Sequence, residues 1–197
     1  IINHVSGFDK EITKRFINDM ADFIQTRKKR RTAFLFQGTE GTGKGFLFTV
    51  VFNNIFGSDY CSQTDMHAFK GQFNSFLESN IYVLVNEISG NFSSHNENMS
   101  TIEKIKIAIT DEVIQIEGKG KDRYNGKNNC SFVFASNRDN ALVIPIDDRR
   151  FNVAPKQEQK IHEPEWWLGD DTMEEMVLSE LQGFVWYLKS YSVDKSI

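Results

Sequence analysis

Three short apolar runs, separated by segments with helical patterns, constrain the fold of this chain most strongly. They are TAFLF (32–36), IYVLV (81–85) and CSFVFAS (130–136). Their apolar residues are nearly continuous rather than alternating, which predicts strands that are buried on both faces. Because strands that alternate with helices form βαβ units, we expect an α/β domain with a largely parallel central sheet.

The segments around these strands predict the helical layers. Residues 8–27, 46–56 and 68–79 carry apolar side chains at helical spacing, and residues 101–110 predict a further helix, whereas the polar stretch 90–100 predicts a loop. Helices on both faces of the sheet give a three-layer sandwich with an N-terminal helix and a helical C-terminal tail.

The composition limits the class of protein. The 197 residues are 40% hydrophobic and 13% aromatic, which is typical of an ordered globular domain. No apolar run approaches the roughly 20 residues that span a bilayer, so we expect no membrane partner. Cys61 and Cys130 are too few for a disulfide framework, and the four histidines are scattered without metal-binding spacing. The chain does not begin with methionine, and we expect it to be part of a longer protein.

A glycine-rich loop lies between the first predicted strand and the helix that follows it. The loop FQGTEGTGKG (36–45) has the spacing Gly38-x-x-x-x-Gly43-Lys44 of a phosphate-binding loop. In such a loop, backbone N–H groups bind phosphate oxygens and the lysine reaches the β- and γ-phosphates of a nucleotide. We therefore predict an ATP site formed by Gly38, Thr39, Glu40, Gly41, Thr42, Gly43, Lys44 and Gly45. The alternative is a glycine-rich turn with a chance lysine.

Polar residues follow the other two predicted strands. Asn86 and Glu87 end the second strand, and Asn137 follows the third. Next to a γ-phosphate, a carboxylate such as Glu87 can orient and deprotonate the attacking water, and the Asn137 amide can bind the phosphate. The simpler interpretation of Glu87 is an acid at the point where a buried strand reaches solvent.

Two arginines in DDRRF, Arg149 and Arg150, are candidates for stabilising a transferring phosphoryl group across a subunit boundary. An ion pair within the chain, with Asp147 or Asp148, is the alternative, and we expect it for one of the two arginines.

The net charge is −4, but positive charge is concentrated locally. Residues 113–126 alternate and then turn, which predicts a β-hairpin. Lys119 and Lys121, on its glycine-flanked tip, suit sequence-independent contact with a polyanion, and Arg123 and Lys127 add positive charge behind them. A solvated, charged turn is the alternative, and we expect Tyr124 to pack on the hairpin rather than on a base. The RKKRR segment (27–31) is interpreted as a solvated helix end, with DNA contact less favoured.

The order of these motifs resembles that of superfamily 3 helicases of the AAA+ class, and most closely the helicase-like segments joined to phage primases. The likeness covers residues 30–153. It rests on the lysine loop, the strand ending in NE, the basic hairpin, the strand ending in SN, and RRF. The resemblance implies an AAA+ P-loop NTPase core at 32–154, with a DNA-binding hairpin at about 112–129. Residues 1–31 would be an N-terminal helical segment, and 155–197 an acidic helical extension.

The same resemblance implies a function for each matched position. Lys44 and its loop would bind ATP, Glu87 would be the catalytic carboxylate, and Asn137 would be the sensor. Either Arg149 or Arg150 would be the finger that reaches the neighbour's ATP. The implied protein is an ATP-dependent ring helicase or translocase on single-stranded DNA in phage replication. It would be a hexameric homo-oligomer in the host cytoplasm, with a primase–polymerase domain on the same full-length chain.

Two alternatives to this function remain. One is a nucleotide- and DNA-binding assembly module attached to a primase–polymerase, with little or no hydrolysis. The other is a small-molecule phosphotransferase, because nucleotide kinases can also carry glycine after the loop lysine.

The chain departs from the helicase family at the expected Mg²⁺ site. Family members usually carry Ser or Thr where this chain has Gly45, and a second acid where it has Asn86. We expect the nucleotide phosphates, water, Asn86 and Glu87 to hold Mg²⁺. Weak metal affinity and slow turnover follow from that arrangement.

Overall fold

The computed structural model describes residues 1–70, 74–86, 95–120, 122–138, 142, 144–145 and 147–196. The described strands, in chain order, are β1 (Ala33–Gln37), β2 (Cys61–Asp65), β3 (Tyr82–Asn86), β4 (Val113–Ile116), β5 (Tyr124–Lys127), β6 (Ser131–Ser136) and β7 (Phe151–Val153). The described α-helices are α1 (Ile2–Val5), α2 (Lys10–Thr26), α3 (Lys44–Phe46), α4 (Asn53–Phe56), α5 (His67–Lys70), α6 (Phe76–Ser79), α7 (His95–Thr110) and α8 (Asp170–Ser190). A π-helical segment, Leu47–Phe52, joins α3 to α4 in one continuous helix.

The central sheet has five parallel strands in the order β2-β3-β6-β1-β7. In the middle of the sheet, Ala33 of β1 pairs with Phe132 of β6, and Gln37 pairs with Ser136. The predicted α/β fold with a largely parallel sheet is confirmed. The sequence did not predict the two edge strands, because β2 (CSQTD) is polar after its buried Cys61 and β7 has only three residues.

Two apolar layers cover the sheet, one on each face. Phe34 and Phe36 of β1 pack on one face against α2, the helix from Lys44 to Phe56, and α8. Leu35 of the same strand packs on the other face, with Ile105 and Ile109 of α7. Successive side chains of a strand point to opposite faces, so the apolar β1 run supplies both cores. The molecule therefore has the three layers that the sequence predicted.

Helix α2 is defined by its caps and by one buried stripe. The Asp9 carboxylate accepts hydrogen bonds from the backbone N–H groups of Glu11 and Ile12 at 2.8 and 2.9 Å, which caps the first turn. Phe16, Met20 and Phe23 lie on the buried side of the helix. The helix ends at Thr26, five residues before the end of the predicted N-terminal helical segment at residue 31.

The interpretation of RKKRR as a solvated helix end is wrong for two of its residues. Arg30 forms ion pairs with the buried carboxylates of Asp19, at 2.6 Å, and Asp22. Lys29 donates a hydrogen bond to the Ala108 carbonyl at 2.7 Å, and burial lowers its pKa to about 8. Arg30 is therefore bound to buried acids of α2, and Lys29 to a carbonyl of α7.

Two predicted boundaries are corrected by the structure. Helix α7 begins at His95, so the loop predicted over 90–100 is wrong from that residue onward; Met99 and Ser100, in its first turns, are exposed. The single helix predicted over 68–79 is instead α5 and α6, with residues 71–73 outside the described part. Asn74, between them, bonds to the hairpin: its Nδ2 donates to Gln115 O at 2.9 Å, and its Oδ1 accepts from the N–H of Glu117 at 2.8 Å.

The predicted hairpin and C-terminal helix are both present. Strands β4 and β5 form an antiparallel pair, with Val113 opposite Lys127 and Ile116 opposite Tyr124. Helix α8 packs on α2, where the side chain of Gln25 donates to the Leu188 carbonyl at 2.9 Å. Among the helices of the described residues, none combines the length and apolar character needed to cross a bilayer.

Candidate functional site

The connections that follow β1 and β3, on either side of β6, run over opposite faces of the sheet, which leaves a crevice at the carboxyl ends of the strands. The helix after β1 packs on one face of the sheet, whereas α7, the next described helix after β3, packs on the other. Strand β6 lies between β1 and β3. In open parallel sheets, ligands bind where neighbouring connections diverge in this way.

A cleft of about 420 Å³ lies at this position. It is lined by residues 40–46 of the glycine loop, by Asn86 at the end of β3 and by Asn137 just after β6. The structure therefore brings Lys44, Asn86 and Asn137 to one site, as the sequence predicted from the strand ends. Glu87 lies outside the described residues, although it directly follows Asn86 in the sequence.

The glycine loop has a backbone that favours glycine at two of its positions. Gly41 and Gly43 have φ angles of 83° and 84°, which residues other than glycine rarely adopt. A Cβ added to Gly43 would also lie 2.3 Å from Cδ1 of Ile161. The N–H of Gly38 donates to the Ser136 carbonyl at 3.0 Å, which ties the start of the loop to β6.

The Lys44 ammonium is held inside the loop by oxygen atoms of the loop itself. Its Nζ donates to the carbonyls of Gly38 and Thr39, each at 3.0 Å, and to Oγ1 of Thr42 at 2.9 Å. Burial lowers the pKa of Lys44 to about 8, and the Glu40 carboxylate acts in the opposite direction. A phosphate group in the cleft would supply a negative charge in place of these neutral oxygens, which favours the protonated lysine.

The start of the helix after the loop fits an anion. The helix begins at Lys44, and its N-cap residue, Gly43, makes no side-chain capping hydrogen bond. The N–H groups of the first helical turn have no acceptor within the helix, and residues 44–46, which carry them, line the cleft. Phosphate oxygens are suitable acceptors for such groups.

The residues that could contact a magnesium ion supply few oxygen ligands. Asn86 donates through Nδ2 to Oε1 of Gln63 at 2.8 Å, so its amide oxygen is the atom suited to a cation. Thr49, the nearest hydroxyl after Gly45, donates to the Gly45 carbonyl at 3.0 Å. A Cβ on Gly45 would meet nothing within 4 Å, so the missing hydroxyl is not imposed by crowding.

The segment after residue 154 closes one side of the loop. Gln157 donates through its N–H to the Gln37 carbonyl at 2.8 Å and accepts from the N–H of Thr39 at 3.0 Å. Ile161 donates through its N–H to the Gly41 carbonyl at 2.8 Å. The extension that the sequence separated from the core thus helps to build the cleft.

Three residues of this segment and the following helix line the cleft and were not identified from the sequence. They are Ile161, Trp167 and Asp170. They lie more than 100 positions after the loop, outside any recognised motif, and the adjacent tryptophans in PEWW were the available signal.

The two candidate arginines lie away from the cleft. The N–H of Ala33, at the amino end of β1, donates to the Arg150 carbonyl at 2.7 Å, whereas the cleft is at the carboxyl end of the sheet. Arg150 pairs with Asp148 at 3.0 Å, and this is the ion pair within the chain that the sequence allowed for one of them. Arg149 is exposed. Neither is part of the cleft in its own chain.

The basic hairpin presents some of its predicted cations to solvent. Lys119 and Lys127 are exposed, and Lys121 lies outside the described residues. Arg123 pairs with Glu117 at 2.5 Å. Tyr124 does not simply pack on the hairpin: its hydroxyl donates to Glu78 of α6 at 2.5 Å, and this bond raises the pKa of Tyr124.

The chain is similar to a phage DNA primase-polymerase and matches a protein family of unknown function. It is 32% identical to the DNA primase-polymerase of Nitratiruptor phage NrS-1 over 196 residues; the match covers all of this chain and 26% of that protein. Two apo structures of the NrS-1 C-terminal region superpose with TM-scores of 0.85 and 0.81 at 30% identity. Each covers 99% of this chain, which spans 45% of theirs.

A protein-family model described as a family of unknown function, DUF5906, matches residues 36–150. The matched segment contains the end of β1, the glycine loop, and the whole of strands β3 and β6. Because it also covers more than half of the chain, this protein belongs to the DUF5906 family.

Proposed function

We propose that this chain is the ATP-dependent motor part of a phage replication protein. It would be an AAA+ P-loop NTPase that forms a ring, hydrolyses ATP between subunits and moves along single-stranded DNA to unwind duplex. One cleft carries this proposal, because it unites Lys44 and its loop with Asn86 and Asn137. The likeness to the C-terminal region of a phage DNA primase-polymerase supports a replication role in the host cytoplasm, beside a linked primase–polymerase domain.

In the proposed reaction, the loop N–H groups and Lys44 bind the phosphates, and the terminal phosphate lies towards Asn86 and Asn137. Glu87 orients the attacking water and accepts its proton, while the Asn137 amide hydrogen-bonds the γ-phosphate. Asn86 and Glu87 would hold Mg²⁺, which neutralises phosphate charge when bound.

The proposed ring completes each site with an arginine from the neighbouring subunit. An arginine that is remote from its own cleft can reach ATP only in an adjacent chain. Arg149 is exposed, whereas Arg150 is engaged by Asp148, so we assign the finger to Arg149. Native mass measured with an ATP analogue and an oligonucleotide tests this assembly, and a monomer under every condition would exclude the arginine finger.

The hairpin would contact the DNA backbone in the ring channel. Lys119 lies in the turn between β4 and β5, Arg123 directly precedes β5 and Lys127 ends it, while Lys121 lies outside the described residues. Cations on a short tip suit phosphate contacts that do not depend on sequence. The Arg123–Glu117 pair makes Arg123 the least available of the described cations.

Phosphate release with and without single-stranded DNA tests the proposed activity. We expect native protein to release phosphate and DNA to stimulate it, while Glu87→Gln abolishes release but retains ATP binding. Lys44→Ala should lose both. Glu175→Gln is the matched control, because it removes an exposed carboxylate on α8. Equal rates for native protein and Glu87→Gln would rule out the assigned base.

A nucleotide- and DNA-binding assembly module is the second candidate function. Gly45 and Asn86 favour it, because they replace two groups that normally help to hold the metal. Lys44-dependent ATP binding without Glu87-dependent release would identify such a module. Gly45→Ser has space for its side chain, and its turnover across magnesium concentrations should exceed that of the native chain at low magnesium. Identical curves would show that the hydroxyl is immaterial here.

A further inference from the structure

The lining of the cleft contains two chemically different groups of residues. Lys44, Asn86 and Asn137 are polar. Phe46 and Trp167, which we call the aromatic end, are apolar and meet edge to face with ring centroids 5.2 Å apart. Both rings are half-buried, so each keeps surface that a bound molecule could cover.

The aromatic end is built from segments that also fix the phosphate loop. Phe46 is two residues after Lys44, in the first turn of the same helix. Ile161 is bonded to the loop through its N–H, and the turn that follows positions Trp167, whose N–H donates to the Pro164 carbonyl at 2.9 Å. The distance between a loop-bound phosphate and the aromatic pair is therefore set by the fold.

We propose that this aromatic end binds the purine base of a nucleoside triphosphate, with the base against Trp167. The inference rests on the proposed function, because it requires the triphosphate on the glycine loop. Tryptophan presents a large π-face on which a base stacks, and the wider ring system of a purine covers more of it than a pyrimidine does.

Asp170, in the first turn of α8, also lines the cleft. A carboxylate repels phosphate but accepts hydrogen bonds from hydroxyl groups, so its chemistry suits the ribose between base and phosphates. The nucleotide orientation follows: phosphates at Lys44, sugar near Asp170, base against Trp167.

Tryptophan fluorescence and affinity measurements test the base site. Trp166→Phe combined with Trp186→Phe gives a double-Phe protein in which Trp167 is the single tryptophan, since the chain has three. We expect ATP to change its emission, and inorganic triphosphate to leave it unchanged. Trp167→Leu should weaken ATP binding ~10-fold while triphosphate affinity is retained. GTP should resemble ATP, and CTP should bind more weakly.

Trp186→Leu is the matched control, because Trp186 is an exposed tryptophan on α8 that does not line the cleft. If Trp167→Leu fails to fold, the emission of Trp167 in the double-Phe protein still decides the matter. Equal affinities for ATP and triphosphate, with silent emission, would overturn the base site while Lys44-dependent binding persists. If Lys44→Ala leaves ATP affinity unchanged, the proposed nucleotide site is overturned, and the base site with it.

Discussion

Raising the pH through the titration range of Lys44 should weaken ATP binding. Burial lowers the pKa of this lysine to about 8 in the free protein. Bound triphosphate stabilises the ammonium form, because opposite charge raises the pKa of a lysine. Binding therefore requires a proton on Lys44 that the free protein loses as the pH rises above about 8.

The expected magnitude follows from the protonated fraction of the free protein. With a pKa of about 8, Lys44 is about nine-tenths protonated at about pH 7 and about one-tenth protonated at about pH 9. The ATP dissociation constant should therefore rise about tenfold across this interval, equivalent to ~1.4 kcal/mol. The last phosphate proton, with a pKa of about 6, is already lost and contributes little.

Calorimetric titration with a non-hydrolysable ATP analogue measures this change. Lys44→Arg is the control, because its guanidinium stays charged throughout and its affinity should be nearly constant. Lys29, whose pKa is also lowered to about 8, lies near α7 and is intact in both proteins. A flat native profile, or an equal decline in Lys44→Arg, would refute a phosphate contact by Lys44.

Three further predictions concern other parts of the molecule. In urea unfolding, Arg30→Met should lower the free energy of unfolding by about 3 kcal/mol, because it leaves buried Asp19 without its ion-pair partner, while Asp22 keeps Lys195; Arg31→Met, in an exposed pair, should cost far less, and equal costs would contradict this difference. Lys119→Ala should reduce the slope of log DNA affinity against log salt by about 0.7, and an unchanged slope would exclude a phosphate contact. Gly43→Ala should lower the free energy of unfolding by about 1–2 kcal/mol, because Gly43 has a φ of 84°, and it should also weaken ATP binding. Gly45→Ala should do neither, because its Cβ meets nothing within 4 Å, and equal stabilities of the two variants would oppose this account.

The sequence predicts the central strands well because burial on both faces leaves a continuous apolar run. Strands β1, β3 and β6 have this pattern, and the structure places them side by side. The polar residues that end them consequently meet at one edge, which is why Asn86 and Asn137 could be predicted to lie near Lys44. The edge strands β2 and β7 have no such pattern, because they are less buried: Cys61 is the one buried residue of β2, and β7 has none.

Long-range contacts explain what the sequence did not predict. The basic run was interpreted from its charge alone, yet Arg30 forms ion pairs with two carboxylates, eight and eleven positions earlier, on the buried side of α2. Asp19 and Asp22, one helical turn apart among apolar neighbours, were the available signal. Trp167 likewise joins the cleft through a turn that carries no periodic pattern.

Gly45 links the metal question to the aromatic end of the cleft. The space around this residue is open, so the fold would tolerate a serine there, and crowding does not explain the absence of the hydroxyl. With Asn86 in place of an acid, the protein contributes little charge to Mg²⁺, which retains its waters readily and would be held mainly by the phosphates. More of the affinity for ATP must then come from contacts that need no metal. The loop N–H groups and Lys44 supply these at the phosphates, and Trp167 would supply them at the base, so weak metal binding and a base site are mutually consistent properties of one cleft.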